Sequence, residues 1–297
     1  MQPNPVLKEL GFSDTDRLVI LHTDDIGMCQ ASVQAFIDLW ETGGISSGAI
    51  MMPCPWAKEA AEYCRKYPGV DMGVHATLTA EWASYRWAPL STRDITSGLM
   101  DADGFMWRSS EETQANATPE AVADEIQLQV KKALEWGVEV THVDSHMGTV
   151  VHPKFIPAYL VAAAQAKVPA MIPRGDISAF LHMGMDPQSA EQFTKFLAEL
   201  EGQGLPLVDS LAMLPLDQPE GQVEIAKKML SEVPAGVTHF LFHPSIDTPE
   251  LRAICPDWPS RVANYKTFMN PEIKSFIKDQ GIRVIGYRHL RELTRKE

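Results

Sequence analysis

The sequence predicts an α/β fold of the (β/α)-barrel type, with seven or eight mainly parallel strands. Three observations carry this expectation. Short apolar runs rich in β-branched residues alternate with amphipathic helical stretches along the chain, and parallel strands need such crossovers between them. About eight of these units fit a closed or nearly closed barrel better than an open doubly wound sheet. Ionisable residues also collect at the C-terminal ends of the runs, where the loops of a barrel converge.

In chain order the expected strands are Leu18–Thr23, Ile45–Met52, Val70–His75, Val138–Asp144, Val168–Pro173, Leu207–Leu211, Thr238–His243 and Arg283–Gly286. Helical periodicity marks Ser32–Glu41, Trp56–Lys66, Pro119–Trp136, Lys154–Lys167, Ala190–Glu201 and Gly221–Glu232. One stretch breaks the rhythm. Ala80–Thr118 has no clear period, is rich in Asp, Ser, Thr and Gly, and carries Trp82, Trp87 and Trp107. Long irregular segments are usually functional or disordered, and tryptophans argue against disorder. A lid or substrate-binding loop within one domain spanning residues 1–297 is therefore expected.

Composition narrows the function. With 297 residues, 45% hydrophobic and 22% charged, the chain can bury a sizeable core. A net charge of −13 argues against a nucleic-acid partner. No basic, then apolar, leader pattern opens the chain, and no apolar run approaches the roughly 20 residues of a membrane span. A soluble cytoplasmic protein is expected, with a homodimer left open. The four cysteines are scattered and form no CxxC pair, so packing is a better role for Cys29 than nucleophilic attack.

The chemistry-bearing residues sit at the strand ends. Asp24 and Asp25 close the first apolar run before Gly27, and His75 closes the third. His142, Asp144 and His146 follow at spacing two, which points all three to one face of an extended backbone. Arg174 follows the fifth run and His243 ends the seventh. Neighbouring carboxylates repel unless a cation or proton lies between them, although an Asp pair can also serve as a local helix N-cap. One carboxylate and two imidazoles suffice for a catalytic divalent metal with open positions. Asp25, His75 and His146 are such a set, and Asp24 is then a neighbouring base. Asp144 has the alternative of orienting an imidazole, and Arg174 of forming an ordinary ion pair. His22, His152, His182, His239 and His289 carry no signal beyond packing.

The segments Asp24-Asp25-Ile-Gly27, Gly43-Gly-Ile-Ser-Ser47, Gly73-Val-His75-Ala-Thr-Leu78, Thr141-His-Val-Asp-Ser-His146 and His243-Pro244 resemble, in that order, the YdjC-like carbohydrate deacetylases. This is the group of chitooligosaccharide and hopanoid-associated deacetylases. Asp103-Gly-Phe105 and Gly281-Ile-Arg-Val-Ile-Gly-Tyr287 also fit, so the resemblance runs from about Arg17 to Leu290. It implies a polysaccharide-deacetylase-like barrel, a divalent metal (magnesium first, zinc or manganese as alternatives) and hydrolysis of a sugar N-acetyl group. Carried over by position, Asp25, His75 and His146 hold the metal and Asp24 is the base. The resemblance further implies His243 beside the substrate as acid or oxyanion partner, and Arg174 positioning base or substrate. Two departures stand out. Ile26 replaces a frequent Phe, and Gly148 stands where a second His is common, so chitobiose specificity is not assumed.

The leading expectation is a metal-dependent deacetylase of an acetylated sugar, with Trp82, Trp87 or Trp107 stacking on a pyranose face. A metal-dependent sugar isomerase or aldolase, and a non-catalytic sugar binder, are the competing readings. No Lys lies at a predicted strand end, which disfavours a Schiff-base aldolase.

Overall fold

The computed structural model describes residues 2–182 and 186–296; the side chain of His182 lies outside the described residues. Seven strands form the sheet: β1 Arg17–Ile26, β2 Ser47–Ile50, β3 Met72–Ala76, β4 Val140–Ser145, β5 Ser210–Met213, β6 Gly236–Phe242 and β7 Arg283–Val284. Their order is β4-β3-β2-β1-β6-β5, and all of these pairings are parallel. Ala170 bridges Val143 of β4 while Pro173 bridges Val208 just ahead of β5, so this short segment closes the sheet into a barrel. The expected fold class is therefore present.

The sixth expected strand, Leu207–Leu211, runs over Ser210–Met213 instead, the second is trimmed to Ser47–Ile50, and two others shrink furthest. The fifth, expected over Val168–Pro173, survives only as that bridging segment. The eighth shrinks to the two residues of β7, which pair with Leu18 and Val19 outside the ring. The chain there turns at once into the helix Tyr287–Thr294. Tyr287, Leu290 and Leu293 of that helix pack with Leu18, Ile20, Val208 and Val237, plugging the N-terminal mouth of the barrel.

Strand alternation sorts β1 into two layers. Leu18 and Ile20 belong to the inner cluster, whereas Val19 and Leu21 join Val33, Phe36 and Leu39 of the helix Gln30–Thr42 outside. Further along the inner face come His22 and Asp24 rather than more aliphatics. The barrel interior is consequently polar at mid-height, with His22, His142 and His239 fully buried. The His142 ring stacks on Tyr287 with centroids 3.8 Å apart. It also lies over the backbone of Gly73, where a Cβ would come within 2.4 Å of it. Glycine is required there because any side chain would occupy the space of the ring.

Cap–proline pairs start several outer helices. Thr118, Thr248 and Asn270 each accept a backbone N–H through the side chain, and a proline follows at the first helical position. The helix Trp258–Met269 has no counterpart among the sequence expectations. Its buried face carries Ser260, Arg261, Asn264 and Thr267, so the apolar period that announces a helix is missing. The irregular stretch of residues 80–118 is held by its own bonds. Trp107 accepts the Ala80 N–H at 2.7 Å, Arg86 pairs with Asp101 at 2.6 Å, and Glu125 accepts the amides of Leu90 and Ser91.

Candidate metal centre and general base

The carboxylate pair lies on an irregular part of β1. Register with β2 shifts between Thr23 and Ile26, and Asp25 has φ of 59°. An extended strand would send consecutive side chains to opposite faces. The bulge and the left-handed residue turn both carboxylates toward one centre. Asp25 Oδ1 lies 3.4 Å from His75 Nε2, and Asp24 Oδ2 lies 3.8 Å from the same nitrogen.

Three further strand ends complete the centre. His75 comes from β3, and His146 follows β4 with its Nδ1 3.1 Å from Asp25 Oδ1. His243 follows β6 with its Nε2 3.8 Å from Asp24 Oδ2. Its amide is anchored by Asn264 Oδ1 at 2.9 Å. The chain turns sharply after His146 because Met147 and Gly148 are both left-handed, at φ 53° and 67°. A Cβ on Gly148 would meet nothing within 4 Å, so there is open space at this turn.

Supporting side chains hold each imidazole in place. Asp144 Oδ1 binds His75 Nδ1 at 2.7 Å, and Glu81 Oε2 faces His146 Nε2 at 3.1 Å. Carboxylates on the far nitrogens of such rings fix tautomer and orientation. Asp144, offered by the sequence as a substrate contact or as an orienter of an imidazole, is buried at 1% exposure and bonded to His75, the arrangement of the second role. Arg261 donates from Nη1 to Asp25 Oδ2 at 2.7 Å and from Nε to Asp257 at 2.9 Å, while its guanidinium sits over the Trp82 ring.

The other side chains expected near the substrate have partners of their own. Arg174 pairs with Glu201 and Asp209 at 2.7 Å. Asp209 in turn accepts the Val237 amide near the start of β6, whereas the centre gathers beyond the end of that strand. Arg174 thus fastens the opposite part of the barrel. Trp82 and Trp87 pack edge to face in a small apolar cluster with Met28, Met51 and Val262, at 7% and 3% exposure. Trp87 and Trp107 donate their indole N–H groups to the carbonyls of Thr79 and Gly98. These bonds anchor the loop. Cys29 is buried in the same cluster, and burial pushes its thiol pKa up, as a packing role requires.

Three residues of the centre went unread in the sequence. His22 binds Asp24 Oδ1 through Nδ1 at 2.7 Å, a contact foreshadowed only by the i, i+2 spacing on one strand. Arg261 sits on the unexpected helix, and Glu81 in the irregular stretch.

Electrostatics follow from this packing. Burial opposes ionisation of Asp24, yet His75 and His22 hold it below the usual carboxylate range. Burial likewise opposes ionisation of Asp25, and Arg261 and His146 overcome it. Burial disfavours protonated imidazoles, but Asp144 and Asp24 raise His75 well above its ordinary value, and Glu81 and Asp25 raise His146 to about 9. Burial lowers His243.

The donors fit a divalent cation. Asp25 Oδ1 is buried and accepts no well-formed hydrogen bond, although both imidazoles face it. One atom each from Asp25, His75 and His146 lie within 4.8 Å of one another. Such a cation competes with the protons on His75 and His146, which are held above neutrality. Affinity should therefore rise with pH toward about 9 and fall in acid. Calorimetric titration with Mn²⁺ at several pH values checks this, and a pH-independent affinity would contradict it.

The family model described as YdjC-like protein matches residues 18–279. The chain belongs to the YdjC-like family. This YdjC-like protein is 28% identical to a carbohydrate deacetylase of Thermus thermophilus over 274 residues, 92% of this chain and 94% of the relative. A chitooligosaccharide deacetylase of Yersinia enterocolitica is 28% identical over 183 residues, 60% of this chain and 68% of that one. A crystal structure from Enterococcus faecalis V583, provisionally named a cellobiose-phosphate cleavage protein, superposes with a TM-score of 0.76 at 23% identity. It covers 93% of this YdjC-like chain and 99% of its own, and shows that the fold is shared.

Proposed function

We propose that this YdjC-like protein is a carbohydrate deacetylase that hydrolyses the N-acetyl group of a sugar or small oligosaccharide. The observation that carries the reading is the buried Asp25 Oδ1, which has no well-formed hydrogen bond and faces His75 and His146, with a second carboxylate beside it. The names of the relatives support the substrate class. A divalent cation held by Asp25, His75 and His146 supplies the positive charge that polarises an acetyl carbonyl and acidifies a water. The resemblance points to magnesium, with manganese as an oxygen-seeking alternative, while two imidazoles among three donors favour zinc.

The protein groups do the rest. Asp24, oriented by His22 on Oδ1, presents Oδ2 to take a proton from the attacking water. Arg261 keeps Asp25 ionised and fixes its plane. Burial keeps the resting His243 imidazole neutral, so it receives its proton during the cycle. Asp24 passes it across their shared contact, and His243 delivers it to the leaving amine nitrogen. The proton removed from water thus ends on the amine, and the acetyl carbon leaves as acetate. Open space at Gly148 gives the pocket room beside His146, a reason to assay more than chitobiose.

Acetate release from N-acetylglucosamine oligomers tests this directly. Chelator-treated protein should be inactive, and restoring Mg²⁺, Mn²⁺ or Zn²⁺ should return activity, with a product lighter by one acetyl group. Undiminished release after chelation, or a product cut in its carbon chain, would overturn the reading.

A further inference from the structure

We propose that Asp24, His22, His142, Thr141 and Asp71 form one hydrogen-bonded relay through the barrel interior. It holds one proton more than two ionised carboxylates, two neutral imidazoles and a hydroxyl would bring. Only its catalytic consequence rests on the deacetylase reading; the proton count rests on geometry.

Four short contacts link the five side chains. Asp24 Oδ1 meets His22 Nδ1 at 2.7 Å, and His22 Nε2 meets His142 Nε2 at 2.8 Å. His142 Nδ1 meets Thr141 Oγ1 at 3.0 Å, and Thr141 Oγ1 meets Asp71 Oδ1 at 2.7 Å. Each distance requires a hydrogen between its two atoms. Ionised Asp24 and Asp71 bring none, Thr141 brings one, and neutral His22 and His142 bring one each. That leaves one contact of the four bare, with lone pair facing lone pair. All five residues are buried, where water cannot relieve the clash. A fourth proton resolves it. None of the four contacts involves an atom of Asp25, His75 or His146.

The extra proton has a defined place. With Asp24 ionised, as the base requires, His22 Nδ1–H donates to it, His142 Nε2–H donates to His22, Thr141 donates to His142 Nδ1, and the fourth proton lies on Asp71, which donates to Thr141. Asp71 suits the inner end. Ser47 Oγ and the Arg288 amide also hold it, at 2.8 and 2.7 Å, and the Arg288 guanidinium is paired with Glu139. Burial pushes the Asp71 carboxyl up, and burial keeps His142 neutral. In this role His22, His142, Thr141 and Asp71 are positioning residues that keep the base ready.

Two experiments on the cation-loaded protein test the relay. Neutron diffraction from a crystal exchanged into heavy water should show a deuteron on each of the four contacts; a contact without one would overturn the proposal. Thr141→Val keeps the shape and removes the hydroxyl, whereas Thr141→Ser keeps the hydroxyl. The Val variant should lose about tenfold or more in kcat at nearly unchanged KM, with the Ser variant close to wild type. Equal kcat in wild type and Val, or equal impairment of Val and Ser, would contradict the relay. If no acetylated sugar is turned over at all, the deacetylase reading fails, and the neutron map still decides the proton count.

Discussion

Asp24→Asn should lower kcat by about a thousandfold while leaving one cation per chain, because general bases contribute about 10²–10⁴ to rate. The substitution is nearly isosteric. An asparagine carbonyl still accepts from His22 Nδ1, so the side chain keeps its place, but it no longer takes a proton from water. The bound cation should be unaffected, since the proposed donors are Asp25, His75 and His146. Steady-state kinetics alongside elemental analysis checks both halves. Retained turnover would remove Asp24 as the base. A parallel loss of cation would make Asp24 a ligand and collapse the division of labour between the two carboxylates.

Asp25→Asn should do the reverse and more. It removes the only proposed carboxylate donor and leaves the Arg261 guanidinium, 4% exposed, with Asp257 as its remaining ionic partner. Breaking a buried pair from one side costs about 3–5 kcal/mol. The variant should therefore lose the cation, lose turnover, and unfold at clearly lower denaturant. A variant that binds Mn²⁺ as tightly as wild type would show that the cation sits elsewhere. The contrast between neighbouring substitutions is the strongest signature available: one should stop the chemistry with the site filled, the other should empty the site and loosen the fold around Arg261.

What the sequence made legible was periodic. Strand-end logic and the spacing of two in His142, Asp144 and His146 located residues that the fold does bring together, because alternation on a strand is a local rule. The same spacing tied His22 to Asp24, yet a histidine inside an apolar run reads as packing until its partners on β4 are known. Arg261 was hidden for a different reason. Its helix buries polar residues, so no apolar stripe announced it, and its contact with Asp25 spans most of the chain. Glu81 lies in a stretch without period, where geometry depends on the loop's own hydrogen bonds. Arg174 shows the reverse error. It follows a segment that closes the barrel, but Asp209 and Glu201 draw its side chain away from the centre. Trp82 and Trp87 cluster with Met28, Met51 and Val262, a burial that favours them over exposure. The shortened last strand yielded to the helix that plugs the barrel, a tertiary demand invisible in four residues.

The central claim is that a cation sits between Asp25, His75 and His146 while Asp24 remains free to act as base. An anomalous-difference map from a crystal loaded with Mn²⁺ or Zn²⁺ tests it most directly. The account predicts one strong peak bounded by Asp25, His75 and His146. A peak among His22, Asp24, Asp144 and His239, the other such buried group among the described residues, or no peak at all, would contradict it.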